Sequence, residues 1–291
     1  MLQFVLGRAA SGKTTEIYNM IADGGQEDNI LLVPEQFSFE TERALLNRGC
    51  KADVLSFTRL LETVERLYGG VAGDRMNEWD KIIIMSRVLR KLKGSLSVYR
   101  KYYSSLEFTA KLISLLDELK ISAIDITQLD AAADNIDIAG VKLKIKELVL
   151  IFLEYQSIIE REFIDPKDDL YRLYDLVNEH RYFTGKTVYI DAFKDFTGAQ
   201  YKILECILRD CKKLVVSFTC DFEAGNEENS LFSVIYQNIE RLSATAKKYN
   251  RKVISPVLLS KSYFENDEMA FMEKNLFEKT YSIYDSDCEN I

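Results

Sequence analysis

Near its N-terminus the chain reads Gly7-Arg8-Ala9-Ala10-Ser11-Gly12-Lys13-Thr14, which matches the pattern G-x-x-x-x-G-K-[ST]. An apolar run at residues 2–6 precedes this stretch, and a helix-forming segment at residues 14–22 follows it. A strand that ends at glycine lets backbone N–H groups turn around a phosphate, and the next helix directs its positive end at the anion. We therefore predict a phosphate-binding P-loop formed by residues 7–14, with Lys13 near the β- and γ-phosphates and Thr14 on Mg²⁺. The alternative is a glycine-rich turn that fits by chance, and the flanking strand and helix favour the P-loop.

The pattern of apolar residues predicts an α/β fold. Runs rich in Val, Ile and Leu predict five strands, at residues 2–6, 30–33, 53–57, 187–191 and 213–218. Helical periodicity after each run is typical of a parallel sheet covered by helices. Between the third and fourth runs, apolar spacing instead predicts helices at Glu78–Lys93, Ser105–Ile121, Ile138–Phe163 and Lys167–His180. We therefore expect a P-loop NTPase sheet with a large all-α insertion domain.

Composition argues against a membrane-spanning protein, a strongly basic nucleic-acid binder and a disulfide- or zinc-stabilised fold. The 291 residues include 47% hydrophobic residues, and no run approaches the roughly 20 apolar residues that span a membrane. Because the N-terminus leads directly into the P-loop, we expect a cytoplasmic protein with no membrane partner. A net charge of −8 argues against nucleic-acid binding by bulk electrostatics. It leaves open a local basic groove at residues 87–101, for which the alternative is a solvated helix face. Five scattered cysteines without a C-x-x-C pair predict neither disulfides nor a zinc site.

A second acidic element of the nucleotide site follows the fourth apolar run. Thr187-Val188-Tyr189-Ile190-Asp191 is a strand pattern that ends in a carboxylate, which we assign to Mg²⁺. The alternative is a strand-end aspartate that begins a turn. Helicase-like ATPases usually carry a glutamate at the next position to activate water, whereas this chain has Ala192. Asp195 is a possible substitute. We therefore expect ATP binding with little or no hydrolysis by this chain, and we assign no catalytic residue.

Four blocks, in this order, resemble the AddB subunit of AddAB helicase-nucleases: residues 4–14, 32–40, 53–60 and 189–197. The resemblance implies a UvrD-like superfamily 1 helicase portion whose motor has decayed. It also implies that residues 1–70 and 183–260 form a RecA-like ATP-binding domain. Residues 71–182 would then be the helical insertion domain, and residues 261–291 the start of a following domain that this chain does not contain.

The resemblance further implies ligands and partners. ATP and Mg²⁺ would bind at Gly7 to Thr14 and Asp191. DNA would run past the segments after the second and third strands, at Phe37, Ser38, Phe39, Thr58 and Arg59. The alternative places both phenylalanines in the core. An AddA-type motor and nuclease subunit would complete a heterodimer that processes double-strand breaks. The family's nuclease domain and its iron–sulfur cluster lie beyond this chain, which therefore has no nuclease site.

Two other functions use the same P-loop. A stand-alone P-loop kinase or phosphotransferase with a helical lid would use Arg87 and Arg90 as lid residues, although no acceptor-binding motif is recognisable. A scaffold would retain the P-loop only for folding. The intact Gly12-Lys13-Thr14 argues against the scaffold.

Overall fold

A computed structural model describes residues 1–25, 28–70, 73–221, 231–277 and 282–285. The strands are β1 (Leu2–Gly7), β2 (Asn29–Leu32), β3 (Asp53–Leu55), β4 (Asp74–Arg75), β5 (Phe163–Ile164), β6 (Thr187–Ile190), β7 (Lys213–Thr219) and β8 (Val257–Leu259). The helices are α1 (Lys13–Asp23), α2 (Ser38–Asn47), α3 (Phe57–Tyr68), α4 (Glu78–Leu92), α5 (Leu106–Ile121), α6 (Ile126–Asp134), α7 (Ala139–Glu162), α8 (Asp169–His180), α9 (Gly198–Asp210), α10 (Ser233–Lys248) and α11 (Asp267–Asn275). None of the helices among the described residues is long and apolar enough to cross a membrane.

Six of the strands form one parallel sheet in the order β3-β2-β6-β7-β1-β8. The inner strands are buried along nearly their whole length, as expected for a parallel sheet with helices on both faces. On one face, Ile17 and Ile21 of α1 pack with Leu31, Val54 and other strand residues. All six strands present their carboxyl ends at one edge, where ligands of open parallel sheets collect.

The chain divides into two compact units. The sheet unit comprises Met1–Leu60, Val177–Phe196 and Leu204–Ile291. The helical unit comprises Leu61–Leu176 and Thr197–Ile203. Its core is formed by apolar side chains of α4, α5 and α7, with Met85, Leu89 and Phe152 among the fully buried ones. The helical unit also contains one short parallel pair, β4 with β5.

All five predicted strands and all four predicted helices are present. The third strand is shorter than the apolar run at residues 53–57, because Ser56 caps the N-terminus of α3, which begins at Phe57. The Ser56 hydroxyl accepts a hydrogen bond from Arg59 N at 3.2 Å, and its carbonyl accepts from Leu60 N at 2.8 Å. Helix α6, strand β8 and the two-residue strands β4 and β5 were not predicted.

Part of the segment after Lys261 contacts the P-loop. The sequence had indicated only the start of a following domain in this stretch. In the structure Tyr263 N donates to the Ala10 carbonyl at 2.9 Å, and α11 reaches Arg8. Strand β8 pairs with β1 immediately before this segment. Residues 222–230, which follow Asp221, lie outside the described residues.

The cysteines among the described residues carry free thiols. Cys206, Cys211 and Cys220 are buried and free, and burial raises the pKa of each thiol to about 11. Thiols with such a pKa are almost entirely protonated at neutral pH and react slowly. Cys50 is half-buried, and Cys288 lies outside the described residues.

Candidate nucleotide-binding site

The predicted P-loop joins β1 to α1. Gly12 immediately precedes the helix and has φ 84°, a left-handed conformation that glycine adopts without strain. At Gly7 a side chain has no room, because a Cβ atom there would lie 2.6 Å from the Leu259 carbonyl oxygen. Both glycines of the motif are therefore required by backbone geometry as well as by the expected phosphate.

Lys13 closes the loop on itself in this structure. Its Nζ donates to the Arg8 carbonyl at 2.6 Å and to the Ser11 hydroxyl at 3.4 Å. Burial lowers the pKa of Lys13, while the Asp191 carboxylate acts in the opposite direction. The ammonium group is thus held over the loop by oxygen atoms of the loop itself.

Thr14, Asp191 and Ser217 form a hydrogen-bonded group at the carboxyl ends of the central strands. The Thr14 hydroxyl donates to Asp191 Oδ2 at 2.7 Å, and the Ser217 hydroxyl donates to Asp191 Oδ1. Asp191 is 4% exposed, so water has little access to its carboxylate. The two hydroxyl groups therefore provide the hydrogen bonds that this buried carboxylate needs. Ser217 was not predicted. The sequence did contain a signal for it, because Ser217 is the one residue with a hydroxyl group in the apolar run at residues 213–218.

These residues suit a magnesium ion. Mg²⁺ prefers hard oxygen ligands and is commonly held by one carboxylate, a hydroxyl, waters and substrate phosphates. The Asp191 carboxylate and the Thr14 hydroxyl, 2.7 Å apart, provide that donor set beside the loop. Among the described residues no cluster of three or more His, Cys, Asp or Glu could hold a metal by itself. Phosphate oxygens of a nucleotide would therefore be needed to complete the coordination.

A cavity of about 670 Å³ opens over this group. Its polar lining includes Lys13, Thr14, Asp191 and Ser217, and its apolar wall includes Phe193, Leu231, Phe232, Val234 and Ile235. The volume lies within the roughly 300–1,000 Å³ typical of small-molecule sites. An apolar wall beside a polar floor is suited to a ligand with both a ring system and charged groups.

The position after Asp191 carries no proton acceptor. Ala192 is exposed and adopts φ 63°, an unusual conformation for alanine. Asp195, the possible substitute, also lines the cavity, and its carboxylate accepts a hydrogen bond from the Phe196 N–H at 2.7 Å. That hydrogen bond holds Asp195 in the turn and occupies one of its two oxygens.

An acidic residue far along the chain contacts the loop, and sequence reasoning missed it. Glu273 of α11 accepts from Arg8 Nε at 2.9 Å and from the Ala9 N–H at 3.3 Å. Arg8 also pairs with Asp221 at 2.5 Å, so its guanidinium is turned toward protein carboxylates. The Tyr263 ring covers Gly12 from the same segment. A negative charge therefore lies beside the loop expected to receive a phosphate.

We expect Glu273→Gln to bind Mg·ATP about two- to fivefold more tightly than the unaltered chain, because it removes one carboxylate charge beside the phosphates. Equilibrium titration with a fluorescent ATP analogue measures this change. Asp267→Asn is the matched control, since it removes the same charge from an exposed position on α11. Equal affinities of the two variants would contradict the expectation.

The predicted DNA-contacting residues lie at the same sheet edge, beyond β2 and β3. Phe37 is 39% exposed and Phe39 is 74% exposed, so neither is a core residue. Thr58 is exposed, and half-buried Arg59 pairs with Glu42 at 2.9 Å. Ser38 is buried. Its hydroxyl is therefore less accessible to a phosphate than that of Thr58.

Comparison with known proteins identifies the family. The family described as ADDB, N-terminal, matches residues 4–273. The chain belongs to the AddB N-terminal family. The matched region covers parts of both the sheet unit and the helical unit, and it includes the P-loop, Asp191 and Glu273.

Named relatives agree with this assignment. The B-type subunit of the ATP-dependent helicase/deoxyribonuclease of Thermoanaerobacter sp. (strain X514) is 33% identical over 304 residues, which covers 100% of this chain and 26% of the relative. The protein of the same name from Clostridium acetobutylicum is 31% identical over 97% of this chain. That from Clostridium novyi is 28% identical over 99%. The chain spans about a quarter of the length of these AddB relatives.

Proposed function

We propose that this chain is the ATP-binding, helicase-like N-terminal part of an AddB-type subunit of a helicase-exonuclease that processes DNA double-strand breaks for recombinational repair. In this proposal the sheet unit is a RecA-like P-loop NTPase domain and the helical unit is its insertion domain. The main support for this proposal is that Lys13, Thr14 and Asp191 line one cavity at the carboxyl edge of the sheet. The residue after the aspartate is Ala192, which supports binding of ATP without hydrolysis.

In this site the chain's residues bind and orient a nucleotide. Backbone N–H groups of the loop and the α1 N-terminus attract the phosphates, and Lys13 exchanges its bond to the Arg8 carbonyl for phosphate oxygens. Asp191 and Thr14 would hold Mg²⁺, which neutralises phosphate charge when bound. Ser217 fixes the Asp191 carboxylate by hydrogen bonding to its other oxygen. Because no side chain at position 192 accepts a proton from water, the site retains ATP more readily than it hydrolyses it.

The proposed DNA path follows the exposed residues after β2 and β3. Phe37 and Phe39 would stack on bases, while Thr58 and Arg59 would contact the backbone. A module that binds ATP and DNA without turnover would grip a strand beside an AddA-type motor subunit in the cytoplasm. It would scan that strand for Chi, the recombination hotspot sequence that AddB-type subunits take part in recognising. This role is supported by the exposure of both phenylalanines and by the family, whose named members are helicase/deoxyribonuclease subunits.

We expect Phe39→Ala to weaken binding of a single-stranded oligonucleotide about tenfold, since one aromatic–base stack contributes about 1–3 kcal/mol. Fluorescence anisotropy at fixed salt, with and without Mg·ATP, measures the affinity. Leu46→Ala is the control, because Leu46 is an equally exposed apolar residue of α2 outside the proposed path. If both variants bind as the unaltered chain does, the proposed path is wrong.

A further inference from the structure

Exposed basic side chains gather with aromatic rings at the end of α4 and in the turn that follows it. Lys93 Nζ lies 3.9 Å from the Tyr103 ring centroid, and Lys101 Nζ lies 4.9 Å from that of Tyr102. Phe108 packs against both Tyr99 and Tyr102, with ring centroids 5.2 and 5.3 Å apart. We call this region of the helical unit the basic-aromatic surface; its members are Arg87, Arg90, Lys93, Tyr99, Arg100, Lys101, Tyr102, Tyr103 and Phe108.

The charges of this surface are not neutralised locally. Arg87, Arg90 and Lys93 follow one another at i, i+3 spacing and are exposed, so they form a stripe about 9 Å long on α4. Within the described parts of the chain, none of the five basic members pairs with a carboxylate. The neighbouring Lys91 does, with Glu154 at 2.5 Å. These five cations fall within residues 87–101, which contain no carboxylate, so they are a local excess of positive charge in a chain of net charge −8.

A buried carboxylate holds the turn of this surface in place. Glu147 of α7 accepts hydrogen bonds from the N–H groups of Ser97, Val98 and Tyr99 at 2.7, 3.0 and 3.0 Å, and from the Ser97 hydroxyl at 2.6 Å. Burial acts to raise the pKa of Glu147, but these donors together hold it below its usual range. The negative charge of Glu147 is thus satisfied by hydrogen bonds within the helical unit. The same bonds fix the turn that leads to Arg100–Tyr103 before any ligand binds.

We propose that the basic-aromatic surface is a binding site for a single-stranded nucleic acid. Guanidinium and ammonium groups in a row match the repeating phosphates of a strand, and Tyr102, which is 40% exposed, offers a ring on which a base stacks. Interleaved aromatic rings favour this ligand over an acidic polypeptide, which needs cations alone. Fixing the turn lowers the entropy that binding costs.

The site differs from the proposed DNA path after β2 and β3. It lies in the helical unit, whereas Phe39 and Arg59 belong to the sheet unit. It also needs neither nucleotide nor Mg²⁺. Failure of the ATP-binding proposal would therefore leave it standing, and the two sites are tested by different substitutions.

The test is anisotropy of a labelled single strand, about 15 nucleotides long, with the full chain over a range of salt concentrations. We expect the triple variant Arg90→Gln, Lys93→Gln, Lys101→Gln to bind at least tenfold more weakly at low salt. We also expect its slope of log affinity against log salt to fall by about 2, since each single-strand phosphate contact contributes about 0.7. The control triple Lys51→Gln, Lys247→Gln, Lys252→Gln removes the same charge from exposed positions of the sheet unit.

Each outcome decides the proposal. A loss confined to the surface triple, together with a fivefold or greater loss in Tyr102→Ala, supports it. Equal affinities and slopes in the two triples overturn it. A surface triple that loses binding of labelled polyglutamate but retains the oligonucleotide also overturns it, and assigns the surface to an acidic polypeptide. Circular dichroism confirms folding, which exposed substitutions leave intact.

Discussion

Lys13→Ala is expected to lower the affinity for Mg·ATP by a factor of about 100 or more. A lysine charge about 4 Å from a phosphate oxygen contributes about 4 kcal/mol at an effective dielectric constant of about 20, and part of this is offset by desolvation. Each 1.4 kcal/mol corresponds to about a tenfold change in affinity. Equilibrium titration with a fluorescent ATP analogue measures the loss.

Two controls separate this effect from others. Lys194→Ala removes an exposed charge from the rim of the same cavity and should change affinity only slightly. Because burial lowers the pKa of Lys13, ATP affinity should also begin to fall at a lower alkaline pH than an ordinary lysine would give. If Lys13→Ala and Lys194→Ala bind ATP equally well, the P-loop does not hold the phosphates.

Asp165→Ala is expected to cost the helical unit about 2–3 kcal/mol of unfolding free energy, because Lys81 then keeps Asp117 as its main carboxylate partner and Lys120 keeps Asp168. The Asp165 carboxylate is 1% exposed and accepts from Lys120 at 2.7 Å and from Lys81 at 3.0 Å. Lys81 is itself 2% exposed. Urea denaturation followed by circular dichroism measures the change.

The control for this substitution is Asp134→Ala, which breaks ion pairs with Lys142 and Lys146 at a side chain that is 59% exposed. Surface ion pairs contribute little, so this variant should unfold like the unaltered chain. The double variant Asp165→Leu, Lys81→Met should recover part of the loss, since it removes both charges. Equal midpoints for Asp165→Ala and Asp134→Ala would contradict the assignment of this network to stability.

The same network gives a pH dependence whose sign follows from its pKa shifts. Burial acts to raise the pKa of Asp165, but Lys120 and Lys81 hold it below its usual value. Its contribution to stability is therefore present at neutral pH and is lost as pH falls through that lowered pKa. Burial acts to lower the pKa of Lys81, but its carboxylate partners raise it, so its contribution is lost as pH rises through the raised pKa. Burial raises the pKa of Asp168, so the charged form of this side chain lowers stability at neutral pH. That unfavourable contribution disappears as pH falls through the raised pKa, which opposes the effect of Asp165.

The parts of the fold that sequence predicted are those with strong local patterns. The runs before Gly7 and Asp191 are continuous and apolar, and the helices of the insertion carry long periodic stripes. Strand β8 escaped prediction because its three residues follow Pro256, and only pairing with β1 makes them a strand. Helix α6 has nine residues, of which only Ile126 and Ala133 are buried, so its stripe was too short to recognise.

The site was predicted in the same uneven way. The P-loop and Asp191 follow from motif chemistry, and the direct Thr14–Asp191 contact joins them across the sheet. Glu273 could not be predicted, because it lies 265 residues from Arg8 and no local pattern encodes a contact over that separation. The left-handed conformation of Ala192 could not be predicted either, since alanine rarely adopts it.

The most direct test of a nucleotide-holding, non-motor role is the rate of ATP hydrolysis by this chain at saturating Mg·ATP, with and without single-stranded DNA. Ala192→Glu and the isosteric Ala192→Gln, which carries no base, are measured beside it. Both place a larger side chain at φ 63°, so the glutamine variant controls for backbone strain. We expect ATP to bind, turnover to stay at background, and DNA to leave it unchanged. DNA-stimulated turnover by the unaltered chain would contradict this role and would assign proton transfer to Asp195 or another group.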